Sequence, residues 1–382
     1  MLDFFFSYFS MYQNFQAELD WACLHMPRTK RAVSLLPDLS NVKLACNMHL
    51  DLKMAPLVDG LLSQGCEIFL TTCNPTTVQD DVVDYLIEKG AKAHAWRDMS
   101  EAEWSASFDK ALNWQPTHLC EMGADLTTRL HDNAGKGKSI PTIKAGLEAT
   151  GSGISRLNGM APRYPIFNWD DLPVKEGLHN RHMVGLSAWQ TFFQTTHLTL
   201  HEKVVVVVGY GLVGQGVAAS AKAFGAQVQV AELDQARALQ AKYDGWPVVD
   251  LTEAVKDADI IATATGAEGV IGARHLDTMK DNSFILNVGH VAKEIDVAYL
   301  KNNSSHSEPM PYVNAYKLKG KTIFLLADGS MFNLTAGYGD SLNAFDVTLA
   351  VMASGIGHIV GEGSTHQSGL YLLPEKAWKS AL

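Results

Sequence analysis

Five valines that run into three glycines, VVVVVGYGLVGQG at residues 204–216, constrain the fold of this chain more than any other stretch. Gly209, Gly211 and Gly214 have the G-x-G-x-x-G spacing, between a strand-like run and the helix-like segment VAASAKAFG. In that context the first glycine makes a tight turn, the second lets the backbone approach a pyrophosphate, and the third lets helix and strand pack closely. The phosphates would lie at a helix N-terminus, where free N–H groups favour anions. The stretch predicts a dinucleotide site, although a glycine-rich turn without a ligand has the same pattern.

The strand after this turn indicates which dinucleotide is bound. The segment QVQVAELD ends near Glu232, whose carboxylate is placed to accept hydrogen bonds from an adenosine ribose. An acid at that strand end repels a 2′-phosphate, which favours NAD over NADP. Arg237 is the counter-evidence, because it would receive such a phosphate if it turned inward.

The order of apolar and amphipathic segments predicts two α/β domains. The chain has 382 residues, of which 47% are apolar, enough for two cores. Between residues 40 and 150, VKLACNMHL and CEIFLTTCN have the pattern of strands, and MAPLVDGLLSQG and VVDYLIEKGAKAHAW that of helices, which indicates βαβα units around a parallel sheet. Residues 203–290 repeat this logic with five candidate strands: KVVVVVG, AQVQVAEL, WPVVDL, ADIIATATG and SFILNVG.

Two chain crossings between the domains are expected, in GLHNRHMVGLSAWQTFFQTT and near NLTAGYGDSLNAFD, after which VTLAVMASGIGHIV predicts a returning helix. We therefore predict a substrate-binding and catalytic domain at 1–182, a Rossmann-type NAD-binding domain at 183–337, and a returning segment at 338–382. The predicted fold is a Rossmann-type domain inserted into a doubly wound α/β domain and joined to it by a two-strand hinge. Such a hinge lets a cleft open and close.

Charge and cysteine usage exclude several classes of partner. The formal net charge is −10 and the basic residues form no long run, which argues against nucleic acid and anionic membranes and favours a small polar metabolite. The apolar opening MLDFFFSYFSMY carries Asp3 and is too short to span a bilayer. The five cysteines never form C-x-x-C, and no H-E-x-x-H occurs, so we expect reduced thiols, a cytoplasmic location and no metal.

From Glu202 to Asp296 the chain closely resembles the S-adenosylhomocysteine hydrolases, in GYGLVGQG, FGAQVQVAELDQARALQ, TATGAEGVIGARHLDTMKDN and NVGHVAKEID. Weaker resemblance in the family's order covers almost the whole chain, through NMHLDLK, CNPTTVQDD, GADLT, EATGSG, KEGLHN, LADGSMFNL and LYLLPEK. The resemblance implies a tightly held NAD+ that oxidises the ribose 3′-hydroxyl, so that a base can remove the acidified 4′ proton and the thiol leaves; water then adds and the ketone is reduced. It also implies a homo-oligomer, although the family's C-terminal tail is not matched here.

Four positions match the family's catalytic groups. His49 in NMHLDLK corresponds to the acid and base near the leaving group, and Lys175 in VKEGLHN to the lysine that assists oxidation. Asn180 corresponds to the asparagine beside the nicotinamide, and His290 in NVGH to the histidine at the cofactor and ribose end. A satisfied structural histidine at position 49 or 290 and a solvated lysine at 175 are the alternatives.

The cofactor contacts follow from the glycine turn and from the resemblance. They are Thr150, Ser152, Gly209, Gly211, Leu212, Val213, Gly214, Glu232, Arg237, Thr265, Gly266, Asn287 and Asn333.

The departures from the family pattern cluster where a nucleoside should bind. Met122 and Ala149 replace two acids, the second of which grips the ribose hydroxyls. In the helix after His49, Asp51 stands in place of a threonine, and Lys53 in place of the glutamate that reads the adenine amino group. Since a charged hydrogen bond is worth roughly 1.5–3 kcal/mol, recognition of adenosine should suffer.

Three further departures concern an aspartate, a methionine and a histidine of the family pattern. His179 replaces the aspartate, and in TAGYGDSL the residues Tyr338 and Asp340 replace a methionine and the histidine. Because unpaired buried charges are costly, the new ionisable groups indicate a redesigned pocket. The predicted substrate-pocket residues are Asp51, Lys53, Met122, Glu148, His179, Tyr338 and Asp340.

These residues leave three hypotheses open. The chain is a family member that cleaves S-adenosylhomocysteine or an altered relative, a catalytically silent NAD-binding regulator, or a plain NAD-dependent dehydrogenase of a small hydroxy compound. The four retained catalytic positions argue against a silent protein, whereas the lost acids argue against S-adenosylhomocysteine as the best substrate.

Overall fold

The computed structural model describes residues 15–382, so the apolar opening segment lies outside the described part. The chain divides into two compact units. The discontinuous unit comprises Met1–Lys175 and Leu342–Leu382, and the inserted unit comprises Glu176–Ser341. The inserted unit therefore begins seven residues before the predicted boundary at 182/183 and ends four residues after the predicted boundary at 337/338.

The discontinuous unit is built on a seven-stranded sheet in the order β14-β6-β5-β4-β1-β2-β3. All its strand pairs are parallel. The strands are β1 Lys43–Met48, β2 Glu67–Thr72, β3 Lys92–Ala93, β4 His118–Glu121, β5 Ala145–Glu148, β6 Pro165–Asn168 and β14 Gly369–Leu372. The predicted strands VKLACNMHL and CEIFLTTCN are β1 and β2, which lie side by side.

Helices follow the strands of this unit as the 3.6-residue periodicity predicts. In VVDYLIEKGAKAHAW the helix ends at Glu88, and Lys92–Ala93 form β3 instead of continuing it. The helices are α1 within residues 15–25, α2 Pro27–Ser34, α3 Ala55–Ser63, α4 Asp80–Glu88, α5 Glu101–Asn113, α6 Asp125–Gly135, α7 Gly151–Asn158, α15 Leu342–Val360 and α16 Glu375–Trp378. The short 3₁₀ turns are Leu52–Met54, Pro75–Thr77, Glu362–Thr365 and Lys379–Ala381.

Helix α15 is the predicted returning helix. Leu349, Met352 and Ile356 on this helix are buried in the same apolar cluster as Leu147 of β5. Within the described chain, α15 is the one helix with the length and apolar composition to cross a membrane, and 61% of its apolar window is buried inside the protein. That burial is typical of a core helix.

The inserted unit contains a second seven-stranded sheet, in the order β11-β12-β13-β10-β9-β7-β8. Its strands are β7 Val204–Val208, β8 Gln227–Ala231, β9 Ile260–Thr263, β10 Ser283–Asn287, β11 Ser305–Met310, β12 Val313–Leu318 and β13 Lys321–Leu326. Four predicted strands are confirmed as β7 to β10. The prediction of a strand at WPVVDL was wrong, because only Val248 bridges to Val230 there.

The sequence pattern did not predict β11, β12 and β13, which form an antiparallel meander at one edge of this sheet. The helices of the unit are a π-helix at Lys175–Met183, α8 Val184–Thr196, α9 Leu212–Ala223, α10 Gln235–Tyr243, α11 Leu251–Ala254, α12 Ala273–Leu276, α13 Val297–Asn303 and α14 Phe332–Thr335. Two 3₁₀ turns lie at Ala292–Glu294 and Ala327–Gly329. The carboxyl ends of the parallel strands β7 to β10 lie on one edge, where α/β sheets bind ligands.

Candidate active site

The three glycines after β7 occupy different environments. Gly209 has φ of +94°, and a Cβ there would lie 2.9 Å from the Ala264 carbonyl oxygen. A Cβ on Gly214 would lie 2.0 Å from the Gly209 carbonyl oxygen, so α9 packs directly on the turn. A Cβ on Gly211 would meet only the Arg237 guanidinium, 3.9 Å away. The turn is thus closed on two sides and open at its middle glycine, where the nucleotide fingerprint needs backbone access.

Helix α9 begins without a capping side chain, and the side chains of Leu212 and Val213 are half-buried in its first turn. Glu232 follows β8 and accepts hydrogen bonds from the backbone N–H of Tyr210 (2.7 Å) and Asp234 (2.8 Å). Its carboxylate therefore braces the glycine turn. The uncapped amides are donors of the kind that a pyrophosphate requires, and Arg237 is exposed beside the turn.

A buried acid that the sequence analysis missed organises the loop after β9. Glu294 is fully buried and accepts hydrogen bonds from the Thr265 N–H (3.1 Å), the Thr265 hydroxyl (2.7 Å) and the Gly266 N–H (2.7 Å). A Cβ on Gly289 would lie 2.0 Å from the Glu294 Oε1 atom. Glu294 lies within NVGHVAKEID. An acid among apolar residues shortly after a strand is the sequence feature that would have indicated a buried carboxylate there. This acid holds two predicted cofactor contacts in place.

The two predicted asparagines differ in what their side chains can still bind. Asn287 donates to the carbonyls of Val291 (2.9 Å) and Gly329 (3.1 Å), and its Oδ1 accepts from Thr263 and Gly289. Its side chain is consequently used within the protein, and the sequence alone did not show this.

Asn333 is buried and donates to the Ser187 hydroxyl (3.2 Å), but its Oδ1 has no partner among the described residues. A carboxamide donor such as that of nicotinamide would satisfy this acceptor. The residues of the inserted unit therefore fit NAD.

Lys175 begins a π-helix that also carries His179 and Asn180. His179 Nδ1 lies 2.9 Å from Asp340 Oδ2, and Asp340 Oδ1 accepts from the Ser187 hydroxyl at 3.0 Å. The structure thus brings together two predicted pocket residues that are far apart in sequence. Tyr338 is exposed two residues before Asp340, and His290 is exposed in the turn after β10.

In the discontinuous unit, Lys175 Nζ lies 3.9 Å from Asp170 Oδ1, and both side chains are largely buried. Thr150 caps α7 by accepting from the Gly153 N–H, and its hydroxyl lies 3.2 Å from that of Ser152. These two predicted cofactor contacts therefore lie at the N-terminus of one helix, α7, which follows β5. The neighbouring strand β6 leads to Asp170.

His49 and the pair Asp51 and Lys53 follow β1 directly. His49 Nδ1 lies 2.8 Å from the Thr77 hydroxyl, which orients the ring. Asp51 caps the short helix at Leu52–Met54, and its Oδ2 accepts from Lys53 Nζ at 2.8 Å. The side chains of Lys53 and Asp51 are only 2% and 9% exposed. A buried ion pair thus lies just after β1, with Asp51 two residues and Lys53 four residues beyond the predicted catalytic histidine.

Two acids beside the lost family positions are structural. Glu148 accepts hydrogen bonds from the backbone N–H groups of Gly123, Ala124 and Thr150, all within 2.9 Å. Glu121 accepts from the N–H groups of Leu126 and Thr127 and from the Thr127 hydroxyl. Neither carboxylate therefore replaces the acids missing at 122 and 149.

Burial raises the pKa of both structural acids. The pKa of Glu121 rises to about 7 and that of Glu148 to about 8, with repulsion from Glu121 adding to the shift at Glu148. Met122 and Ala149, which occupy the family's acidic positions, are buried and apolar. The geometry shows a site rich in backbone-bound carboxylates and poor in carboxylates that a sugar could reach.

Two family models match the chain: "S-adenosyl-L-homocysteine hydrolase" over residues 16–159, and "S-adenosyl-L-homocysteine hydrolase, NAD binding domain" over residues 183–339. An S-inosyl-L-homocysteine hydrolase from Methanopyrus kandleri is 32% identical over 94% of this chain and 86% of its own length. The chain belongs to the S-adenosyl-L-homocysteine hydrolase family. It is an NAD-using hydrolase.

Relatives with two different names match this S-adenosyl-L-homocysteine hydrolase family member about equally well. An S-inosyl-L-homocysteine hydrolase from Methanococcus maripaludis is 34% identical over 96% of this chain and 90% of its own length. An adenosylhomocysteinase from Pyrococcus abyssi is 33% identical over 94% and 87%. Overall identity therefore does not separate the two substrates, and the decision falls to the site residues.

The family assignment confirms the predicted NAD cofactor and the predicted α/β fold with a cofactor-binding region in the second half of the chain. All five cysteines are free thiols, as expected. In residues 15–382 no group of three histidine, cysteine or acidic side chains is placed to hold a metal ion.

Proposed function

We propose that this enzyme hydrolyses the thioether of a homocysteine nucleoside whose purine carries a 6-oxo group, with S-inosyl-L-homocysteine as the substrate. The buried pair of Lys53 and Asp51 is the observation that carries the proposal. In the family pattern the first of these positions holds a glutamate that reads the adenine amino group. A lysine at that position reverses the hydrogen-bonding character of the site.

The edge of the base decides which substrate matches. Adenine presents an amino donor at position 6 and an acceptor at N1, which suits a glutamate and a threonine. Hypoxanthine presents an acceptor oxygen at position 6 and a donor N1–H. An ammonium group only donates and a carboxylate only accepts, so Lys53 matches the 6-oxo group and Asp51 matches N1–H.

Burial strengthens this argument. Two charges removed from water lose their hydration, and their mutual attraction compensates for this loss only when the remaining donors and acceptors are also used. Lys53 Nζ lies 2.8 Å from Asp51 and 5.9 Å from the centre of the Phe345 ring. A 6-oxopurine edge would add one charge-assisted hydrogen bond to each member of the pair.

The names of the relatives include the proposed substrate. The two relatives from Methanopyrus and Methanococcus are called S-inosyl-L-homocysteine hydrolases. The adenosylhomocysteinase from Pyrococcus abyssi is an equally similar relative, which makes S-adenosyl-L-homocysteine the second candidate substrate.

When bound, NAD+ supplies reversible oxidation of the sugar 3′ position, which makes the adjacent C–H acidic. His49, which follows β1 and lies 2.8 Å from the Thr77 hydroxyl, exchanges a proton with the leaving sulfur or the incoming water. Lys175, next to Asp170, assists removal of the hydroxyl proton. Since Met122 and Ala149 are apolar, we expect weaker recognition of the sugar hydroxyls than in relatives with acids there.

The test measures thiol release from S-inosyl- and S-adenosyl-L-homocysteine by protein whose bound NAD has been quantified after denaturation. We expect kcat/KM to favour the inosyl substrate by at least about tenfold, because each mismatched donor or acceptor is left unpaired in the site. The double variant Asp51→Thr/Lys53→Glu should shift the ratio towards the adenosyl substrate by a similar factor. Equal activity on both substrates, or an unchanged ratio in the variant, would contradict the proposal.

Lys175→Ala provides the matched chemical control, because it should abolish thiol release from either substrate while leaving their ratio of binding constants unchanged. The homo-oligomer stays a prediction, which light scattering of the purified protein checks.

A further inference from the structure

His179 and Asp340 are in contact, and both positions depart from the family pattern. The family pattern has an aspartate at the first position and a histidine at the second. Here the histidine and the carboxylate have changed places, and Nδ1 of His179 lies 2.9 Å from Oδ2 of Asp340. One acid and one base thus occupy these two positions in exchanged order, and in this protein they are in contact.

The carboxylate end of this pair is fixed from behind. Asp340 is buried, and its Oδ1 accepts from the Ser187 hydroxyl at 3.0 Å. Ser187 is buried on α8 and accepts in turn from Asn333 Nδ2 at 3.2 Å. Because Ser187 and Asn333 belong to two packed helices, the position of Asp340 is set by the core of the inserted unit.

The histidine end belongs to a segment that lies outside the apolar core. None of the nine residues of the π-helix Lys175–Met183 is buried. π-Helical turns are rare and are found mostly at functional sites, and here the apolar core does not hold the segment. Its far end is fixed at Arg181, whose carbonyl oxygen lies so close to α9 that a Cβ on Gly216 would approach it to 2.0 Å.

The pair also joins two distant parts of the chain. His179 lies just after the Lys175–Glu176 boundary and Asp340 just before the Ser341–Leu342 boundary. Within the inserted unit, the contact thus connects the two segments through which the chain leads to the other unit.

We propose that the His179–Asp340 pair is a positioning device, which holds the π-helix so that Lys175 and Asn180 keep their working geometry. This inference rests on the proposed function for its catalytic consequence. His179 and Asp340 act through the residues that the π-helix carries, and the buried chain from Asn333 through Ser187 is what makes Asp340 a fixed anchor.

The decisive experiment compares Asp340→Asn and His179→Asp with the exchanged double variant His179→Asp/Asp340→His, which restores the family's arrangement. Hydrogen exchange of the peptide covering 175–183 is measured first, without substrate. We expect each single variant to exchange about tenfold faster there, because the segment loses a tertiary contact, and the double variant to regain protection. Peptides of α9 should not change.

Thiol release gives the second readout. Each single variant should lower kcat by about tenfold or more while the bound NAD content and KM change by less than about threefold, and the double variant should recover most of kcat. His182→Ala removes an exposed histidine from the same π-helix and is the matched control, with activity close to that of the unaltered enzyme.

A double variant no better than the worse single variant in exchange and kcat would overturn the proposal, as would single variants that behave like His182→Ala. If a single variant fails to fold, the exchanged double variant decides alone, since it should fold and work. Absence of thiol release by the unaltered protein would contradict the proposed function, whereas the exchange measurement would still test the pair.

Discussion

The glycine turn of the inserted unit and the strand ends of the discontinuous unit differ in what they have kept. At Gly209 and Gly214, a Cβ atom would lie closer to neighbouring backbone atoms than van der Waals contact allows, so both positions require glycine. At the ends of β1, β4 and β5, the family's polar groups are replaced by Asp51, Lys53 and apolar side chains. The comparison shows that a site read by backbone atoms resists substitution, whereas a site read by side chains can be redesigned on an unchanged sheet.

The largest expected effect tests the closed side of the glycine turn. Gly214→Ala should lower the free energy of unfolding by about 3 kcal/mol, because the new Cβ would meet the Gly209 carbonyl. In Gly211→Ala the new Cβ would meet only the Arg237 guanidinium at 3.9 Å, so its free energy of unfolding should stay within about 0.5 kcal/mol of that of the unaltered protein. This variant should nevertheless retain much less NAD. Urea unfolding and the NAD content after denaturation measure both. Equal stability of the two variants would contradict the packing role of Gly214.

The second prediction addresses the redesigned strand end. Lys53→Met leaves the buried Asp51 carboxylate without its 2.8 Å partner, and should lower the free energy of unfolding by about 3 kcal/mol. The double variant Lys53→Met/Asp51→Leu should recover most of this loss, since no uncompensated charge remains. NAD content should not change in either variant. A double variant less stable than the single variant would show that the pair is worth more than an apolar replacement.

The third prediction concerns Glu294. Glu294→Gln should lower the free energy of unfolding by about 2 kcal/mol and reduce bound NAD, because the amide turns an NH₂ group towards the donors of Thr265 and Gly266. Glu253→Gln, at an exposed surface pair, is the control and should change neither quantity. Thermal melting with and without added NAD measures both effects. An unaltered NAD content in Glu294→Gln would show that the loop after β9 does not contribute to cofactor binding.

The last expected effect is a pH dependence of the discontinuous unit. The pKa values of Glu121 and Glu148 in the folded protein, about 7 and 8, are raised above the ordinary value of 4.5. Between pH 4.5 and the raised pKa values, the folded state holds more protons than the unfolded state. The stability that the two protonated acids contribute is therefore full below pH 4.5 and is lost as the pH rises through 7 and 8. Each such acid contributes a slope of about 1.4 kcal/mol per pH unit, so the two together contribute at most about 2.7 kcal/mol per pH unit.

Urea unfolding between pH 5 and pH 8 checks this slope, and Glu148→Gln should reduce it because one titrating group is removed. A stability that rises with pH over this range would contradict the assigned protonation of the two acids.

Local pattern was sufficient for much of the fold. The period-2 and apolar runs identified β1, β2 and β7 to β10, and the glycine spacing identified the cofactor turn, because these features depend on neighbours in sequence. The meander β11–β13 was not predicted, because its outer strand, SHSEPM, is largely exposed and lacks an alternation of apolar and polar residues. The strand predicted at WPVVDL does not form, because an apolar run at a sheet edge need not pair beyond a single bridge.

The sequence by itself determined that the chain is an α/β protein with an NAD-binding turn, and which positions depart from the family pattern, since both are properties of residue type and spacing. Tertiary structure alone decided that Glu148 is a backbone ligand, that Glu294 anchors the loop after β9, and that His179 meets Asp340. The physical reason is that a side chain's charge is fixed by its type, whereas its partners are fixed by contacts between residues tens to hundreds of positions apart.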